Sequence, residues 1–479
     1  MNYSIIRYIL CRVLEFQALF LLLPCIVAVC YGEKQGWIYL MVAAGCFLIG
    51  GLGKLKKPKS TVFYAREGFV TVSLSWIVMS IVGALPFYFT GEFATYTDAL
   101  FETISGFTTT GASILNDVEA LSRCTLFWRS FTHWIGGMGV LVLILAVLPL
   151  AGGYNMYLMR AESPGPTVGK LVPRVRHTAR ILYEMYVLIT IVEIITLLIA
   201  GMPVFDSLTL SFGTAGTGGF GLLNTGAAEY TATVQIILTV FMILFGINFN
   251  VYFLIRARKG KAAFKCEEMR YYLGIIAVAI IFITINVKDL FGNVLEALRH
   301  VAFQVASIIT TTGFSTTDFD KWPEFSKFIL VALMFVGACA GSTGGGIKVS
   351  RVLIMAKLAK NEFSYLIHPK RVRQVCLEKR VITKETLRSV SVFFITYAMI
   401  YAVSVLLISL DNLDFTTNFT AVAATLNNIG PGLGMVGPTS NFSVYSDPAK
   451  YVLMFDMLAG RLELFPMLLL FAPSTWKRN

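Results

Sequence analysis

The stretch Asp98-Ala-Leu-Phe-Glu-Thr-Ile-Ser-Gly-Phe-Thr-Thr-Thr-Gly-Ala112 decides the architecture. Its apolar part is too short to cross a bilayer, which needs about 20 apolar residues, but long enough for a re-entrant half-helix. It ends in Thr108-Thr-Thr-Gly-Ala112, and it lies between two long apolar runs. The pattern returns three times. Phe205-Asp-Ser-Leu-Thr-Leu-Ser-Phe212 leads to Gly216-Thr-Gly-Gly-Phe220. Ala297 to Ile309 leads to Thr310-Thr-Thr-Gly-Phe314, and Phe419 to Leu426 leads to Asn427-Asn-Ile-Gly-Pro431. The matching glycines, Gly111, Gly219, Gly313 and Gly430, are 108, 94 and 117 residues apart. Such a recurrence marks a repeated structural unit: span, half-helix, Thr/Gly loop, span.

Irregular backbone at membrane depth leaves carbonyls that lipid cannot satisfy, so these loops must line an enclosed wet cavity. Four of them around one axis make rings of oxygens able to replace the hydration shell of an alkali cation. Glycine can turn successive carbonyls toward the axis through positive φ. Threonine hydroxyls can add ligands, and the half-helices can aim the negative ends of their dipoles at the ion. The candidate filter is therefore Thr109, Thr110 and Gly111; Thr217, Gly218 and Gly219; Thr311, Thr312 and Gly313; and Asn428, Ile429 and Gly430.

Composition agrees with a membrane setting. Of 479 residues 56% are hydrophobic and only 14% are charged, against about 25% in soluble proteins. Apolar runs near 5–30, 36–53, 69–90, 124–149, 181–201, 231–255, 271–287, 326–358, 389–410 and 450–472 give ten crossings, the first retained rather than cleaved as a signal. The net charge of +12 is explained by topology rather than by nucleic acid. Basic residues cluster in alternate loops around Lys54–Arg66, Arg160–Arg180, Arg256–Arg270 and Lys348–Arg388, and with the termini 31 of the 40 basic residues fall on one face. The positive-inside rule makes that face cytoplasmic, both termini included. The opposite face is net acidic, which either solvates loops or concentrates cations at an outer mouth. The eight cysteines are scattered without a C-x-x-C pair and read as small core residues.

Here the chain resembles the Trk/Ktr/HKT superfamily of potassium transporters, most closely its TrkH/TrkG-type membrane subunits. The motifs are Phe101-Glu-Thr-Ile-Ser-Gly-Phe-Thr-Thr-Thr-Gly111, Trp134-Ile-Gly-Gly-Met-Gly139, Ala340-Gly-Ser-Thr-Gly-Gly-Gly-Ile-Lys348 and Asn427-Asn-Ile-Gly-Pro-Gly432. The resemblance implies an all-α polytopic fold: four membrane–pore-loop–membrane repeats about a pseudo-fourfold pore, plus two extra N-terminal spans. The expected divisions are 1–67 for the extra pair and its basic loop, then repeats at 68–158, 159–265, 266–380 and 381–479. It also implies a homodimer with one pore per subunit and a cytosolic, nucleotide-binding regulatory ring subunit (TrkA-like). The fourth loop, Asn428-Ile429-Gly430, departs from Thr-Thr-Gly and makes the filter asymmetric. In plant members serine at the first filter glycine goes with sodium transport; Gly111 here favours potassium.

The run Gly341-Ser342-Thr343-Gly344-Gly345-Gly346 interrupts the eighth span, since glycine costs about 1 kcal/mol against alanine inside a helix. The family places here, with Lys348, an intramembrane gate loop; the alternatives are a packing surface and, for Lys348, a side chain snorkelling to the interface. Arg461 falls near mid-span, where an arginine costs at least ~2.5 kcal/mol. The resemblance makes it a barrier to cations below the filter, with Asp456 and Glu463 as candidate partners. His133 reads as a packing residue rather than a proton relay, and Glu193 as an interhelical hydrogen-bonding group or a proton-coupling site.

The expected function is potassium uptake across the bacterial inner membrane, with potassium as substrate and no organic cofactor. A H⁺- or Na⁺-coupled symport on the same fold is the rival. An enzyme is not expected: four histidines, no H-E-x-x-H and no G-x-S-x-G offer no catalytic constellation. No nucleotide-binding fingerprint such as G-x-G-x-x-G between a strand and a helix is present. The basic segments 159–180 and 348–388 suit an acidic partner or anionic membrane lipid.

Overall fold

The computed structural model describes residues 1–56, 64–139, 175–369, 374–378 and 380–477. The inner half of the fourth expected span, the boundary at 158/159, most of the basic segment 159–180, and Lys57, Lys59, Lys370, Arg371, Arg373, Lys379 and Arg478 lie outside the described residues.

The fold is almost wholly helical; a two-residue hairpin pairs Cys376–Leu377 with Arg380–Val381. An N-terminal antiparallel pair, α1 (Tyr3–Tyr31) and α2 (Gly36–Leu55), comes first. Then follow α3 (Ala65–Phe89), α4 (Tyr96–Phe107) and α5 (Arg123–Gly137). The second unit holds α6 (Val175–Ile199), α7 (Val204–Gly216), α8 (Ala232–Phe245) and α9 (Phe249–Arg256). The third holds α10 (Glu267–Val287), α11 (Val294–Ile309), α12 (Glu324–Val336) and α13 (Val349–Ile367). The fourth holds α14 (Lys384–Ile408), α15 (Phe415–Leu426), α16 (Asp447–Arg461) and α17 (Phe465–Phe471).

Among the described residues, α1, α2, α3, α6, α10 and α14 are long and apolar enough to cross a bilayer. They leave side chains such as Ile285 and Ile395 more than 60% exposed, a surface suited to lipid rather than water. The short helices α4, α7, α11 and α15 bury their C-terminal halves, with Ala99 and every residue from Phe101 to Phe107 of α4 buried. Three of these four start on a side-chain cap. Thr95 Oγ1 accepts from the Asp98 amide (3.1 Å), Asn293 Oδ1 from that of Glu296 (2.8 Å) and Asp414 Oδ2 from that of Thr417 (2.9 Å).

Two of the expected crossings are not continuous. The run 231–255 bends by 90° between α8 and α9, because Gly246 ends one helix and Asn248 caps the next, its Oδ1 accepting from the Asn250 amide at 2.9 Å. The run 450–472 stops at Arg461, and Glu463 and Leu464 both take positive φ before α17. The eighth span is broken as expected, but over 337–348 rather than 341–346. Helices α5, α8, α12 and α16 thus end after 15, 14, 13 and 15 residues. That is about 20–22 Å of helix, short of a ~30 Å hydrocarbon core. Windowed hydropathy does not register the breaks after α8 and α16, because apolar residues resume within a few positions.

The N-terminal pair docks on the first unit through polar bonds that lipid could not supply. Gln17 Nε2 donates to the Met79 carbonyl (2.9 Å), and the Tyr39 and Thr125 hydroxyls meet at 3.0 Å.

Candidate functional site

All four buried half-helices end in the same motif. The amide of Thr110 donates to the Ser105 carbonyl (2.9 Å), Gly218 to Gly213 (2.8 Å), Thr312 to Ser307 (2.8 Å) and Ile429 to Ala424 (2.8 Å). In each, the preceding residue is left-handed: Thr109 (φ 56°), Thr217 (58°), Thr311 (61°) and Asn428 (56°). This six-to-one bond is the Schellman turn, whose left-handed position is usually glycine. Three β-branched threonines there are genuine outliers, each costing on the order of 1–3 kcal/mol. The sequence reading assigned positive φ to the glycines and missed it at these residues.

The loops then close a ring. Gly111 has φ 76°, and a Cβ there would stand 1.9 Å from the Gly218 carbonyl oxygen. In the same way Gly219 faces the oxygen of Thr312, Gly313 that of Ile429, and Gly430 that of Thr110. Each loop therefore abuts the next, and the fourth returns to the first. The loop-to-loop contacts involve eight of the twelve candidate residues: Thr110, Gly111, Gly218, Gly219, Thr312, Gly313, Ile429 and Gly430. The expected ligand role of the threonine hydroxyls is less simple: those of Thr110 and Thr312 pair with Thr108 (2.8 Å) and Thr310 (2.7 Å).

Outside the ring is a cavity of about 140 Å³ that all four filter glycines line. At its rim Asp117 accepts from Asn224 Nδ2 (2.9 Å), a bond that holds its carboxyl below the usual range and keeps the rim charged. One shoulder carries a buried ion pair absent from the sequence reading. Arg129 Nε donates to Glu102 Oε1 (2.5 Å), Arg129 Nη1 to the Gly221 carbonyl (2.9 Å), and the Ile114 amide to Glu102 Oε2 (3.0 Å). The guanidinium lies 3.6 Å from the centre of the Phe220 ring. Two opposite charges in apolar segments were the available signal.

His133 joins the first two units. Its Nε2 accepts from the Phe220 amide (3.3 Å), so the proton sits on Nδ1, which donates to the Gly106 carbonyl (2.8 Å). A ring that donates on one side and accepts on the other is neutral, which matches the packing role. Glu193 is fully buried on α6 and makes no ion pair among the described residues.

Below the ring a cavity of about 70 Å³ is lined by Gly137, Gly344, Gly345, Lys348 and Arg461. It is half the size of the outer one, and the 337–348 loop lies against the ring. The Gly345 amide donates to Thr311 Oγ1 (2.6 Å), and Thr343 Oγ1 to the Phe245 carbonyl (3.3 Å). Lys348 does not reach the interface. It is 3% exposed and donates to the carbonyls of Gly344 and Gly345. Arg461 lies at the end of α16 and donates to Thr109 Oγ1 (3.1 Å), the Thr343 carbonyl (2.9 Å) and the carbonyls of Gly136 (2.5 Å) and Gly137 (2.6 Å). The acids expected beside it are engaged elsewhere: Arg351 binds Glu463, and Ser404 Oγ donates to Asp456 (2.7 Å).

A multi-pass helical membrane protein whose re-entrant loops meet in a ring of backbone oxygens belongs to the class of cation transport proteins, not to that of enzymes. Residues 40–478 match the family described as TrkH, cation transport protein. The Trk system potassium uptake protein TrkH of Salmonella typhimurium (strain LT2) is 38% identical over 464 residues, covering 95% of this chain and 96% of that one. TrkG of Escherichia coli (strain K12) is 35% identical over the full length of both chains. The crystal structure of the potassium transporter TrkH from Vibrio parahaemolyticus superposes with a TM-score of 0.89 at 32% identity, covering all of both chains. The chain belongs to the TrkH family.

Arg129→Met should leave Glu102 buried without its counter-charge. Thermal unfolding in detergent should register a loss of about 3–5 kcal/mol, largely recovered by adding Glu102→Leu.

Proposed function

We propose that this protein conducts potassium inward across the bacterial inner membrane, both termini cytoplasmic. The observation that carries this reading is the closed ring of four loops, in which each filter glycine abuts its neighbour's carbonyl. Residues 109–111, 217–219, 311–313 and 428–430 form the filter, one triplet from each of the repeats 68–158, 159–265, 266–380 and 381–479. Potassium is the substrate, dehydrated as carbonyl oxygens replace its water. Relatives named as potassium uptake proteins support the choice of ion.

The 341–346 loop with Lys348 acts as the gate. Its contact with Thr311 and its position across the axis support that role. Arg461 places a positive charge beneath the filter and opposes cation passage. The working unit is a homodimer with a cytosolic nucleotide-binding regulatory subunit, for which the basic segment 348–388 offers a complementary surface. A membrane potential supplies about 2.3 kcal/mol per charge per 100 mV, roughly 50-fold accumulation, so no second ion is required.

The test is uptake of Rb⁺ and Na⁺ by the purified protein in liposomes, with and without a pH gradient. Rb⁺-selective uptake that ignores the pH gradient supports the reading. Uptake that requires a second gradient would replace it with a coupled carrier.

Deleting Thr343–Gly345 should raise flux in folded protein, and unchanged flux would count against the gate. Arg461→Ala should raise Rb⁺ uptake tenfold or more, since two unit charges about 4 Å apart repel by about 4 kcal/mol at an effective dielectric of about 20. Slower uptake by a well-folded variant would oppose the barrier. Gly111→Ser forces a side chain onto the Gly218 carbonyl. It should lower the Rb⁺/Na⁺ ratio in the same assay.

A further inference from the structure

The gate segment is held at its base by one carboxylate. Glu268, in the first turn of α10, is 4% exposed. Its Oε1 accepts from the amide of Ala340 (2.7 Å) and from that of Ser350 (3.1 Å). These amides stand immediately before Gly341 and just after Lys348, on either side of the loop that covers the filter. One oxygen therefore fixes both feet of the loop to the third unit. The remaining ties differ in kind. The Phe249 amide donates to the Gly341 carbonyl (2.9 Å) and the Cys339 amide to that of Gly246 (3.1 Å), and these bonds register the loop against the α8–α9 bend.

The same turn of α10 is held from the cytosolic side. Glu378, in the hairpin of residues 376–381, accepts at Oε1 from the amides of Glu267 (2.6 Å) and Glu268 (3.3 Å). The Glu378 amide donates back to Glu267 Oε2 (3.2 Å). Lys357 of α13 reaches both Glu267 and the Cys376 carbonyl. The exposed hairpin thus grips the turn that carries Glu268.

We propose that Glu268 is the latch of the gate loop, a positioning residue whose carboxylate oxygen holds Ala340 and Ser350 together and thereby keeps the loop under the filter. The hairpin docked through Glu378 is the outer end of that latch. This rests on the reading of 341–346 as the gate. Hydrogen bonds to a charged acceptor are stronger than neutral ones, so their loss loosens both feet together and leaves only neutral backbone bonds there, among them that of the Val349 amide to the Ala338 carbonyl (3.0 Å).

The test uses the full chain in liposomes and three variants at this position, beside the Thr343–Gly345 deletion. Glu268→Ala should raise Rb⁺ uptake by at least about tenfold, the factor that follows from losing even one of the two hydrogen bonds to a charged acceptor. Glu268→Asp, whose carboxylate falls short by one methylene, should do the same, and it covers the case in which the alanine variant does not fold. Glu268→Gln keeps an oxygen in place and should remain near the basal rate. A second readout is Cys339, fully buried beside Ala340. Its modification by a small thiol reagent, located by mass spectrometry, should rise in the alanine and aspartate variants and not in the glutamine one. If the deletion raises flux while Glu268→Ala and Glu268→Asp stay within twofold of native, the latch is wrong and the gate stands. If Glu268→Gln opens the pore as alanine does, the acceptor role is overturned. If the deletion changes nothing, the gate reading fails and the latch with it.

Discussion

A carbonyl released from a helix inside a hydrocarbon slab has no water to turn to, and everything near the axis of this protein answers that constraint. Four half-helices stop at membrane depth. Each closes its last turn with the same six-to-one amide bond, which satisfies one carbonyl and swings the chain into a left-handed residue. The loops beyond that turn abut one another, the fourth returning to the first. The outer helices exist, in structural terms, to keep lipid away from these oxygens. The N-terminal pair extends that wall over the first unit, with Gln17 and Tyr39 bonded inward.

The repeat was legible in the sequence because it depends on spacing and on residue types with few alternatives. Thr108 to Gly111 and its three counterparts sit at matching points between long apolar runs, and the four loops abut one another through Thr110, Gly111, Gly218, Gly219, Thr312, Gly313, Ile429 and Gly430. Hydropathy served equally well for α1, α2, α3, α6, α10 and α14. It failed at 231–255 and 450–472, where a glycine, an asparagine cap and two left-handed residues redirect the backbone inside runs whose average hydropathy stays high. The left-handed threonines were hidden for a different reason: intrinsic preference argues against them, and only the ring overrides it. The acids sought beside Arg461 were a fair guess from proximity in sequence. Backbone oxygens from another unit filled that place, and no single-chain pattern announces a contact between residues more than 300 apart.

Charge is distributed along the axis in discrete, compensated steps. Outside the filter, Arg129 is matched by Glu102 and lies on an aromatic face. Beneath it, Arg461 is surrounded by carbonyls. Lower still, Arg351 pairs with Glu463 and stands 4.1 Å from the Phe393 ring. A buried ion pair brings little net stability but holds its geometry strictly, because losing one partner is expensive. The first pair fixes α4 against α5, and the second joins the third unit to the fourth.

Arg461 also bears on why such a pore would be written as one polypeptide. A homotetramer must repeat every side chain four times, so an arginine at this position would put four positive charges within a few ångströms of one another and close the axis to any cation. Here α5 ends on Gly137 and α8 and α12 are followed by Gly246 and Gly337; the fourth helix alone carries the guanidinium. A single chain lets its four units differ at matching positions, so a guanidinium can stand at the end of one helix without being repeated at the other three.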